Sequence, residues 1–229
     1  MIISHQHRFI FIKTQKTAGT SLELHLAPFL DRGDVITTLE VQARNWRGFY
    51  NPLPPLLAAR GLRQRYRELR RFVGLKKFPG HMPAHEVRRL LPAAVWDGYF
   101  KFCVERNPWD KTLSMYHFLT KFSLGHHHPD MSFDEYLATG KLPLDFDMYT
   151  DPANGEVIVD EVLKFETLQQ DLARILPKIG IPTDGQMTEK ANAEFRNDRR
   201  SYSEVYSPQQ AEVVRQAFRR ETELLGYAF

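Results

Sequence analysis

Residues 8–21 read RFIFIKTQKTAGTS, and a change of character inside this stretch decides the fold class. Arg8 to Lys13 is a short β-rich apolar run suited to a buried strand, whereas Thr20 to Leu30 shifts to helical spacing with Leu22, Leu24, Leu26 and Leu30. The turn between them carries Lys16, Thr17, Ala18 and Gly19. Such a strand-to-helix turn suits an anion: N–H groups at the helix start point toward a bound phosphate, Gly19 lets the backbone approach, and Lys16 adds a mobile positive charge. Thr20 and Ser21 add hydroxyl donors. The same turn also reads as a plain tight connection. It is not a Walker A loop, because Lys16 precedes Gly19 instead of following a glycine, and this weakens kinase and NTPase readings.

The strand-turn-helix theme recurs. Tyr99 to Glu105 reads as a strand, Asn107 as the cap of a helix with Pro108 in its first turn, and Leu113, Tyr116, Phe118 and Leu119 as that helix's apolar side. Arg106 at the strand end and Ser114 two turns into the helix are placed to grip one anion; the bland alternative is Arg106 paired with a carboxylate. Elsewhere, Pro83 to Pro92 predicts a short helix, Val157 to Val159 and Val162 to Phe165 two short strands after a turn at Asp151 to Gly155, and Leu168 to Ile179 an amphipathic helix. A last helix is expected from Pro208 to Leu225, capped by Ser207. Residues 40–58 read as irregular loop and 59–72 as a basic helix. Strands alternating with helices predict a P-loop-like three-layer α/β fold, a central parallel sheet flanked by helices, in a single domain over residues 1–229.

Composition narrows the function classes. With 42% hydrophobic and 26% charged residues, the chain can bury one substantial core. No run of eighteen apolar residues and no secretory signal is present, so a cytoplasmic protein without a membrane span is expected. The lone Cys103 lies in an apolar run and reads as a buried, inert thiol. The net charge of +3 hides a lopsided stretch from Arg60 to Lys77 in which basic residues face only Glu68. That stretch suggests an anionic partner, or equally a solvated helix face.

Taken together, the segments KTAGTS (16–21) and RNPWDKTLSMY (106–116) resemble the PAPS-dependent sulfotransferase superfamily. The first is similar to its 5′-phosphosulfate loop and the second to its 3′-phosphate motif, R-x-P-x-x-x-x-x-S-x-Y, in the family's order. The likeness is nearest to the branch with heparan sulfate uronyl 2-O-sulfotransferases and bacterial relatives. It extends to VLKFETLQQDL (162–172) and to the Leu-Gly-Tyr ending the last helix, while residues 35–78 match nothing and read as a variable, acceptor-side insertion. The resemblance implies 3′-phosphoadenosine 5′-phosphosulfate as donor, adenosine 3′,5′-diphosphate (PAP) as product, and no metal. It implies that Lys16, Thr17, Ala18, Gly19, Thr20 and Ser21 hold the phosphosulfate and that Arg106 and Ser114 read the 3′-phosphate.

Transfer to a hydroxyl needs a base with a pKa near neutrality. Of nine histidines, His81 in Phe78-Pro79-Gly80-His81 resembles the branch's Gly-His base segment; His85 on the following helix orients the acceptor or faces solvent, and a carboxylate base is the remaining option. Arg200, with Arg196 and Arg199, lies where the family places a loop that closes over the nucleotide, though a solvated basic loop reads as well. His126 to His128 read as exposed loop and not as a metal site. The acceptor expected is a small molecule or carbohydrate, anionic if the Arg60–Lys77 stretch serves it. Two rivals stand beside this reading: a small-molecule kinase, and a polyanion- or nucleic-acid-binding module built on that stretch.

Overall fold

The computed structural model describes residues 1–31, 33–37, 61–62, 78–121, 130–182, 187 and 200–229. The expected loop at 40–58, the basic helix at 59–72 apart from residues 61–62, His126 to His128, Arg196 and Arg199 lie outside the described residues. In chain order the first elements are β1 (Ile2–Ser4), β2 (Phe9–Ile12), α1 (Gly19–Leu26), β3 (Val35–Ile36), α2 (Ala84–Leu90), α3 (Ala93–Gly98), β4 (Phe100–Glu105), α4 (Pro108–Lys121) and α5 (Phe133–Ala138). There follow β5 (Glu161–Lys164), α6 (Leu168–Ile175), α7 (Tyr202–Val205), α8 (Pro208–Ala217) and α9 (Arg219–Leu225).

The sheet runs β3-β1-β2-β4-β5. β2, β4 and β5 pair in parallel, with Phe11 opposite Phe102 and Val104 opposite Leu163. β1 is antiparallel to both β2 and β3, so the expected parallel sheet is mixed, with four of five strands pointing one way. The two extra strands have three and two residues, too short for alternation to announce them.

Successive strand residues point to opposite faces, and this alternation divides the core in two. Ile2, Phe9, Phe11, Phe102, Val104 and Leu163 pack against Leu22 and Leu26 of α1 and Leu168, Leu172 and Ile175 of α6. Ile3, Ile10, Ile12 and Cys103 face Ala84 and Val87 of α2 and Trp96 of α3. Helices therefore cover both faces, which gives the three layers. A third cluster joins Trp109 and Leu113 of α4 to Tyr136 of α5 and Val214 of α8. Cys103 is fully buried, and burial pushes its thiol well up, as its apolar setting implies. No helix among the described residues is long and apolar enough to cross a membrane.

Several boundaries differ from expectation for identifiable reasons. The helix expected to reach Leu30 ends at Leu26, and Pro28 follows in a 3₁₀ turn. Likewise α6 stops before Pro177, and Gly180 closes the next turn at φ 74. The expected strand Val157–Val159 is only a single bridge from Val157 to Thr150 across the Asp151–Gly155 turn. The final helix breaks at Phe218, which leaves helical geometry (φ −99, ψ 26) with its ring fully buried; tertiary packing overrides a local sequence free of Gly and Pro.

A buried ion cluster lies among these layers. Lys111 of α4, at 0% exposure, donates to Glu105 Oε1 at 2.5 Å and pairs with Asp145 Oδ2 at 2.8 Å. Removing the ammonium would strand two buried carboxylates, so Lys111→Met is expected to lower the unfolding free energy by about 3–5 kcal/mol in equilibrium urea denaturation. Arg215→Ala, which breaks an exposed pair with Glu212, is expected to cost less than about 1 kcal/mol.

Candidate active site

Because β2, β4 and β5 are parallel, their carboxyl ends release three loops at one edge of the sheet. There lies a cavity of about 750 Å³, bordered by residues 13–21 after β2, Arg106, Ser114 and Phe118 around α4, and residues 165–170 after β5. Its size is that of a site for a nucleotide-sized ligand.

The loop after β2 is built for close approach. Lys16 and Ala18 both take left-handed backbone (φ 57 and 59), a costly conformation for residues with a Cβ. Ala18, whose methyl offers no hydrogen-bonding group, is the cap residue of α1, so the cap side chain does not engage the helix's first amides. Gly19 is required by Lys13: a Cβ there would stand 2.7 Å from Lys13 Cγ. The Lys13 side chain crosses Gly19 so that Nζ donates to Thr20 Oγ1 at 3.0 Å and to the buried Glu23 at 2.5 Å. With its lone pair engaged, the Thr20 hydroxyl has its proton to give elsewhere. Thr17 is buried and bonded to Thr14, whose hydroxyl donates to the Val104 carbonyl; Ser21 is buried at the cavity wall.

The second motif meets the first directly. Arg106 donates from Nη1 to the Lys16 carbonyl at 3.0 Å, from Nε and Nη2 to Asp110 Oδ2 at 2.8 and 2.6 Å, and its guanidinium stacks 4.2 Å from the Phe165 ring centroid. Arg106 is thus paired with a carboxylate, as the bland alternative has it, and it also borders the cavity. Asn107 caps α4, its Oδ1 accepting from the Trp109 and Asp110 amides. Glu166 stitches the rim, accepting from the Asn107 amide at 2.7 Å and from the Tyr227 hydroxyl at 3.0 Å. Burial and the neighbouring Arg106 pull Lys16 down to about 8.

His81 stands exposed at the cavity rim, its Nδ1 donating to the Lys13 carbonyl at 3.0 Å, which leaves Nε2 as the basic nitrogen. Surrounding protein, and then the Lys13 charge, lower its pKa below 6.5. The structure therefore gathers Lys16 to Ser21, Arg106, Ser114 and His81 around one cavity. His85 on α2 and Arg200 before α7 are not among the residues that border it.

Sequence reasoning missed the supports: Lys13, Glu105, Asp110, Lys111, Asp145 and Glu166. Asp145 matters most, since Oδ2 accepts the Gln15 amide at 2.6 Å and Oδ1 the Gln15 side chain at 3.2 Å. The available signal was Glu105 at the end of the apolar run from Tyr99 to Val104, directly before Arg106.

No protein-family model matches the chain. It is 38% identical over 106 residues to an Archaeoglobus fulgidus protein described as an uncharacterized protein, a match spanning 45% of this chain and 86% of the archaeal one. Among solved structures it is similar to mouse sulfotransferase SULT7A1 complexed with PAP, with a TM-score of 0.54 and 14% identity over 98% of this chain and 87% of the mouse chain. That likeness establishes a common fold.

The link from Lys13 to His81 is measurable. In Lys13→Met, which retains the chain crossing Gly19 but not the charge, His81 is expected to titrate at higher pH than in the parent, followed by proton NMR of the ring. An unchanged midpoint would show that the Lys13 charge does not reach the imidazole.

Proposed function

We propose that this chain, which belongs to one family with the Archaeoglobus fulgidus protein and has the sulfotransferase fold, moves a sulfonate group from 3′-phosphoadenosine 5′-phosphosulfate to a hydroxyl. The observation that carries the reading is the meeting of both anion motifs in one cavity, through the Arg106 bond to the Lys16 carbonyl. The residues present suit the donor. The uncapped start of α1, Thr20 and Lys16 would hold the 5′-phosphosulfate, and Arg106 with Ser114 the 3′-phosphate that distinguishes this nucleotide from ATP.

His81, neutral at pH 7, takes the proton of the acceptor hydroxyl as its oxygen bonds to sulfur, and the sulfur–oxygen bond to the 5′-phosphate breaks. Lys16 holds the charge left on that phosphate oxygen, and the α1 amides share it. The acceptor is a small molecule or carbohydrate; the 2-O-sulfotransferase-like branch supplies the precedent through the Gly80-His81 segment.

Thermal-shift measurements separate this from a kinase. PAP alone is expected to raise the melting temperature where ATP with magnesium does not, and Lys16→Ala and Arg106→Ala are each expected to lose the effect; stabilisation by ATP with magnesium instead would overturn the reading. Turnover adds a pH signature. With any accepted hydroxyl, kcat/KM is expected to fall as pH rises past about 8, where Lys16 loses its charge, and to fall on the acid side as His81 is protonated, below 6.5. Lys16→Ala is expected to lower kcat by roughly 100- to 1,000-fold.

A further inference from the structure

Phe118 lies four residues beyond Ser114, so the two side chains share one face of α4, and both border the cavity. The Lys16 ammonium sits 4.3 Å from the centroid of the Phe118 ring, within the range where an aromatic face attracts a cation. Nothing in the sulfonate-transfer scheme requires this contact. An ammonium that swings to a phosphate at the start of α1 leaves the ring, and the contact is then an alternative to ligand binding.

We propose that Phe118 is a positioning residue: its ring is the resting place of the Lys16 ammonium before nucleotide binds, and it keeps that amine charged and aimed along the cavity wall. This rests on the reading of the cavity as a nucleotide site. The ring's role follows from what faces Lys16. Burial and Arg106 both disfavour its charge, bringing it to about 8. The other ionisable groups on the cavity wall are Lys13, His81, His117 and Glu166, and Asp110 is already engaged by Arg106. The ring face is thus a neutral partner that favours the ammonium over the amine without neutralising the cavity.

A consequence separates a resting place from a plain wall. On this proposal, removing the ring destabilises the free ammonium more than the nucleotide-bound one. Where Lys16 is already charged, at neutral pH and below, nucleotide should then bind more tightly. Where Lys16 is neutral in the free protein, well above pH 8, nothing should change. The pH at which affinity begins to fall should move down.

The test is calorimetric titration with PAP across this pH range on the parent, Phe118→Met and Phe118→Tyr. Phe118→Met, similar in volume, is expected to bind PAP roughly three- to tenfold tighter at neutral pH, to converge with the parent at alkaline pH, and to begin losing affinity roughly half to one unit lower. Phe118→Tyr, which keeps the ring, is expected to follow the parent. A curve for Phe118→Met parallel to the parent, or weaker at every pH, would overturn the proposal while leaving the nucleotide reading intact. No PAP binding by the parent would overturn both. One measurement needs no variant: in the parent, the Lys16 ε-protons are expected to show an upfield ring-current shift that PAP abolishes, and absence of that shift without ligand would equally reject the resting place.

Discussion

The architecture of the site depends on a buried ammonium. Lys111 reaches inward from the first turn of α4 to Glu105, the last residue of β4, and to Asp145 in the segment after α5. Asp145 in turn accepts the amide of Gln15, next to Lys16, while Glu105 accepts the amide of Arg106 at 3.0 Å. The first motif is therefore anchored at the residue before Lys16 and the second at the amide of Arg106 itself, each on a carboxylate that shares the same lysine.

Burying three ionisable groups is costly, and packed apolar side chains of similar volume would often stabilise a fold as well. Their arrangement has a geometric outcome that apolar packing lacks. Hydrogen bonds to specific amides orient the loop after β2 and the β4–α4 junction relative to each other. One ammonium serves two carboxylates. Burial and the nearby Asp145 push Glu105 up to about 7, although Lys111 pulls the other way. For Lys111, burial works against the charge, but Glu105 and Asp145 outweigh it and hold its pKa above the ordinary lysine value. Above this base, the cations facing the cavity have only partial compensation: Lys16 has the Phe118 ring, and Arg106 has Asp110 on one side with Phe165 stacked on the other.

Much of this was legible in the amino-acid sequence because it is local. The strand-turn-helix units around residues 8–26 and 99–121 follow from apolar periodicity, from Asn107 and Pro108, and from the small residues before α1. The need for glycine at position 19 was legible as well, though its cause was not: the expected reason was approach to a ligand, whereas the tightest constraint on a Cβ there is the Lys13 side chain. What could not be read is non-local. The bond of Gln15 to Asp145 spans 130 positions, and that of Asn107 to Glu166 spans 59. The short strand β1 pairs antiparallel with the edge of β2, and the two-residue β3 in turn pairs with β1. The break at Phe218 reflects burial of one ring in the third cluster, which no propensity encodes.

The central claim is that two distant stretches of chain grasp opposite ends of one doubly phosphorylated adenosine. Crystals grown with adenosine 3′,5′-diphosphate test it most directly. The account predicts the 5′-phosphate within hydrogen-bond distance of Lys16 and the first amides of α1, and the 3′-phosphate on Arg106 and Ser114. Nucleotide bound outside this cavity, or with its 3′-phosphate away from Arg106, would contradict it.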